Sequence, residues 1–98
     1  MLPALSSPRL TAVEVNFPPG AASAPHRHAG AVFVYVLTGS VVSQIDDGPR
    51  TVYQAGQSFF EPPGARHVHS ASASPTEPAR ALAVFVADDG AALTTYEK

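Results

Sequence analysis

Alternation of apolar and polar positions runs along nearly the whole chain and predicts one strand after another. Leu10 to Phe17 interleaves Ala12 and Glu14 with Val13 and Val15, the period of a half-buried strand, and Pro18-Pro19-Gly20 closes it. Ala31 to Leu37 is rich in β-branched and aromatic residues, and Thr38-Gly39-Ser40 is a compact turn into Val41 to Ile45, so these two segments are expected to form a hairpin. Asp46-Asp47-Gly48-Pro49 makes a second turn before a short strand, Thr51 to Tyr53, and Ala55-Gly56 breaks the chain again before Ser58 to Glu61. Pro62-Pro63-Gly64 forces another reversal, His67 to Ser70 resumes an extended stretch, and Ala71 to Pro78 reads as a loop. Ala81 to Ala87 is nearly all apolar. A short buried helix would also suit it, but Val84, Phe85 and Val86 favour a strand buried on both faces. The tail after Asp88 has no clear pattern and is open to reading as an irregular arm or as an edge strand used in dimerisation.

Seven or eight short strands divided by glycine and proline turns predict an all-β sandwich or barrel, best matched by a jelly roll. Ninety-eight residues suffice for one domain, residues 1–98, with no room for a second. A formal charge of −2 without blocks of like charge gives no reason to expect nucleic acid or anionic lipid as a partner, which leaves a small molecule. The absence of cysteine removes disulfides and thiolate metal sites. Neither a basic-then-apolar leader nor a bilayer-length apolar run is present, so a soluble cytoplasmic protein is the expectation.

Chemistry enters with the histidines. All four fall in two pairs, His26-Arg27-His28 and His67-Val68-His69. In an extended strand an i, i+2 pair aims both imidazoles at one face, and two such strands side by side would gather several nitrogen donors around one point. Imidazole suits iron, nickel, zinc and copper alike, and manganese also stays open, so a divalent metal is expected without its identity.

The spacing Gly20-x5-His26-x-His28-x10-Gly39 resembles the first motif of the cupin superfamily, and Gly56-x5-Pro62-x-Gly64-x2-His67 resembles the second. Together they cover most of the chain, with the short inter-motif length of small single-domain bacterial cupins. The resemblance implies the cupin jelly roll, a double-stranded β-helix barrel, with His26, His28 and His67 coordinating a divalent metal inside, and a homodimer is the expected assembly. It also implies a glutamate seven residues before Gly39, where this chain has Val32, and an asparagine where it has Ala71. By that pattern the three-His, one-Glu ligand set is not expected to form, and Glu61, just before the Pro-Pro-Gly turn, is expected at a solvated strand end.

A site of three imidazoles leaves one side of a cation open and, lacking a carboxylate, stays more cationic, which favours anionic chelating substrates. Cupins resembling this pattern include iron dioxygenases acting on thiols, diketones or aromatic acids, so a dioxygenase-type enzyme is the first functional expectation. A non-catalytic module that binds or senses a small ligand or metal is the second, and an isomerase or lyase using His69 as base is the third. By parity with His67, His69 is a candidate fourth ligand, general base or supporting group, the alternative being a place at the barrel mouth in contact with solvent. Gln44 faces either the cavity or solvent, Val32 walls part of a small apolar cavity, and Phe60 is a candidate for its lining.

Overall fold

In the computed structural model, residues 8–22, 25–28, 30–88 and 95–96 are described. Nine strands and no helix appear among them: β1 (Pro8–Phe17), β2 (His26–Arg27), β3 (Ala31–Thr38), β4 (Ser40–Ile45), β5 (Thr51–Gln54), β6 (Ser58–Glu61), β7 (Arg66–Ser72), β8 (Ala79–Asp88) and β9 (Thr95–Tyr96). They form two antiparallel sheets, one ordered β1-β8-β3-β6 and the other β5-β4-β7-β2-β9, in a jelly-roll layout. No helix among the described residues is long and apolar enough to cross a membrane.

Alternation explains which side each strand buries. In β3, Val32, Val34 and Val36 turn inward while Phe33 and Tyr35 stay exposed. Val41 from the second sheet and Phe59 from β6 meet those valines, and Phe17, Ala79, Ala81 and Ala83 complete the core. Burying these side chains supplies the main driving force for closing one sheet on the other.

The expected hairpin between Ala31–Leu37 and Val41–Ile45 does not form. β3 pairs with β6 and β8, whereas β4 pairs with β5 and β7, so the turn at Gly39 carries the chain from one sheet to the other. Gly39 has φ +71°, and a Cβ there would lie 2.6 Å from the Pro78 carbonyl oxygen, so only glycine fits this crossing without strain. Ala71 and Ser72, expected at the start of a loop, continue β7. The tail expectation falls largely outside the described residues, except that Thr95–Tyr96 pairs with His26–Arg27 at the edge of the five-stranded sheet.

Candidate metal centre

The first histidine pair is held by a two-residue strand. β2 lies antiparallel to β7 with His26 directly opposite His67, which puts these two rings on the same inner face. Arg27, between the histidines, is exposed and donates from its guanidinium to the Gly64 carbonyl oxygen at 2.9 Å. The Gly64 amide in turn donates to the His28 carbonyl oxygen at 3.0 Å. The Pro62-Pro63-Gly64 turn is thus tied to the segment carrying His26 and His28, and the residue entering that turn is Glu61.

Glu61 is not at a solvated strand end. It is 2% exposed, among the largest fully buried side chains of the protein. Its parity in β6 is that of buried Phe59, and Phe60 takes the opposite, outer face at 44% exposure. Phe60 therefore does not line the cavity, contrary to expectation. Glu61 stands across the β3–β6 ladder from Val32, the position where the motif resemblance called for a carboxylate. A set of three histidines and one carboxylate is present after all, with the carboxylate contributed by β6 in place of β3.

Donor atoms of His26, His28, Glu61 and His67 all lie within 4.8 Å of one another, and all four residues are buried. The His26 ring centroid is 4.8 Å from that of His28 and 4.9 Å from that of His67. Glu61 Oε1 stands 3.0 Å from His67 Nδ1 and 3.5 Å from His28 Nε2, yet it is buried and accepts no hydrogen bond. A carboxylate oxygen kept from water without a donor is costly, and a cation among the surrounding nitrogens offsets that cost. The donor set therefore fits a divalent metal, and its mix of imidazole and carboxylate suits several.

The His67 ring is fixed from behind by a hydrogen bond of 2.8 Å between its Nε2 and Ser43 Oγ, both residues being buried. In the tautomer where Nε2–H donates to Ser43, the Nδ1 lone pair faces Glu61 and the interior. Phe85 packs edge-on against His28 with ring centroids 5.2 Å apart. Ser43, Ser70 and Glu61 carried no motif signal. Only the inward parity shared by Ser43 with Val41, and by Glu61 with Phe59, hinted at their placement.

The remaining candidates separate cleanly. Val32 lines a cavity of about 140 Å³ beside the four donors, together with Ser70 and the core side chains. His69 does not line it. Between Gln44↔His69 and Ile45↔His67 the ladder advances one residue on β4 and two on β7, so an extra residue interrupts the alternation. That bulge puts His67 and Ser70 inside and leaves His69 beside Gln44 on the other face. Gln44 accepts a hydrogen bond at 3.1 Å from exposed Arg50 and likewise does not line the cavity. Partial burial, then the Arg50 guanidinium and His67, hold the His69 imidazole below its usual pKa.

Comparison with known proteins agrees with this architecture. A family model described as the cupin domain matches residues 13–85. Among solved structures, a cupin-like protein from Thermotoga maritima superposes with a TM-score of 0.78 at 22% identity, covering 90% of this chain and 64% of that one. The DMSP lyase DddQ from Ruegeria pomeroyi gives a TM-score of 0.78 at 23% identity over 89% of this chain and 42% of that one. An RmlC-like cupin from Shewanella frigidimarina is 31% identical, with a TM-score of 0.69, over 83% of this chain and 68% of that one. The chain thus spans less than two thirds of the length of the first two. No curated protein matches the sequence.

Proposed function

This chain belongs to the cupin family, and on that premise we propose that it is a metal-dependent protein acting on a small molecule, with His26, His28, His67 and Glu61 as the ligands of one divalent cation. The observation that carries the reading is the Glu61 oxygen, buried and without a hydrogen-bond donor inside a cluster of three imidazoles. A bound cation would supply Lewis-acid polarisation of a donor atom on the small molecule. Ser43 holds the His67 ring in orientation, Glu61 contributes one negative charge, and valine and phenylalanine side chains make up much of the rest of the wall.

The case for a dioxygenase rested on a site without a carboxylate, and Glu61 removes that particular motive. It also removes the excess positive charge that favoured anionic chelators. Lyase or isomerase chemistry with His69 as base loses its base, because His69 is not on the cavity wall. What remains supported is polarisation by a bound cation and its ligands, with Ser70 as a hydroxyl-bearing group on the wall. Elemental analysis of protein purified without an affinity tag tests the proposal. About one equivalent of a transition metal per chain is expected, with a melting temperature that falls on chelation. Metal-free protein whose melting is indifferent to every added cation would overturn it.

A further inference from the structure

The inner row of β8 is unusual for a strand in a small core. Ala79, Ala81 and Ala83 point inward, while the larger Leu82 and Val84 occupy the alternate positions on the opposite face. Phe85 follows on that inner face, so bulk is withheld only from Ala79 to Ala83, where a strand selected simply to fill the interior would place larger side chains, because packed cores leave few voids. The small methyl groups of Ala81 and Ala83 face the 140 Å³ cavity directly beside the metal-ligand cluster. An apolar cavity of about 150 Å³ in another protein takes up benzene, so this hollow is of a size for a body of about six to eight non-hydrogen atoms.

The wall is also chemically one-sided. Away from the His and Glu cluster the lining includes Val15, Phe17, Val34, Ala81, Ala83 and Phe85, with Ser70 as a neutral polar side chain, and among the described residues it contains no lysine, arginine, asparagine or glutamine. A second charged group on a ligand would be buried there without a partner, at a cost no side chain offsets. Glu61 already neutralises one charge of a divalent cation, leaving electrostatic room for a single anionic or neutral donor.

We infer that the cavity receives a compact, largely apolar molecule of about benzene size, bearing one oxygen or sulfur donor directed at the His26, His28, Glu61 and His67 end. This rests on the metal reading for the donor end and on the cavity alone for the apolar body. A dicarboxylate of oxalate type would meet no cationic side chain among the described lining residues and is expected to bind more weakly than a single-donor aromatic.

The test uses toluene, phenol and oxalate as probes, with binding followed by calorimetry and ligand-observed NMR on metal-free and metal-loaded protein. Toluene should bind the metal-free protein, phenol should bind at least about tenfold tighter once metal is loaded, and oxalate should bind more weakly than phenol. Two filled variants, Ala83→Leu and Ala81→Val, should retain metal content and melt no lower than the parent, while losing at least about tenfold in affinity for both aromatic probes. Oxalate binding tighter than phenol, no binding of either aromatic probe, or unchanged phenol affinity in both filled variants would overturn the inference. Binding of toluene and phenol by protein that takes up no metal would end the metal reading and uphold the assignment of the apolar body.

Discussion

Val32 and Glu61 face each other across the β3–β6 ladder, 1% and 2% exposed, with both side chains on the cavity wall. Directly opposed residues of an antiparallel pair have Cβ atoms about 5 Å apart, so a carboxylate rooted at either position reaches the same region. The site's negative charge is therefore set by the pair and not by one fixed position. Glu61→Gln, which keeps the shape and removes the charge, should lower metal affinity by more than about 100-fold, beyond the usual effect of a supporting residue. The exchange variant Val32→Glu with Glu61→Val should recover a substantial part of that loss. Metal titration by calorimetry on all three proteins checks this, and an exchange variant as weak as Glu61→Gln would refute the equivalence.

Ser43 acts on the site through His67. Its Oγ lies 2.8 Å from Nε2, and both groups are buried. Ser43→Ala leaves that nitrogen without its partner and frees the ring to rotate, so metal affinity should fall about 10- to 100-fold. Ser43→Thr, which keeps the hydroxyl, should restore most of it. Equal affinity in parent and Ser43→Ala would show that the hydrogen bond has no part in aiming Nδ1.

Strand positions were legible because the alternation of Val32, Val34 and Val36 with Phe33 and Tyr35 states the strand and its two faces locally. The shared face of His26 and His28 was legible for the same reason. Pairing was not. The turn Thr38-Gly39-Ser40 reads identically whether it reverses a strand within one sheet or passes it to the other, and only long-range packing of β3 on β8 decides. Glu61 was missed for a related reason: alternation groups it with Phe59, but local sequence does not say that Val32 will be its neighbour. The bulge in β7 likewise leaves no mark on the spacing of His67 and His69.

That bulge makes a separate prediction. With His69 on the opposite face from His67, His69→Ala should leave metal stoichiometry and affinity within about twofold of the parent, well short of the effect of removing a supporting residue. His67→Ala should abolish binding. Comparing the two by metal analysis and titration separates a ligand from a residue that merely shares its motif, and a loss of metal in His69→Ala would place that ring at the site.

Gly30 connects fold stability to the site. A Cβ at this position would fall 2.0 Å from the Val86 carbonyl oxygen and 2.7 Å from Ala87 Cβ, so any side chain forces β3 away from β8 at the end nearest His28. The obstacle is backbone on the strand to which Ala31 and Val32 are paired, and it has no rotamer by which to yield. Gly30→Ala should therefore cost at least about 3 kcal/mol in urea denaturation, at or above the upper end of ordinary overpacking. Metal affinity should fall with it, because displacement of β3 moves Val32 relative to Glu61 and disturbs the chain between His28 and Ala31. Gly56→Ala is the control at a glycine with open space around it, where φ +90° makes strain the expected cost and the metal site is not crowded. If Gly30→Ala unfolds at the same urea concentration as the parent, the close approach of β3 and β8 at this point is not a constraint on the fold.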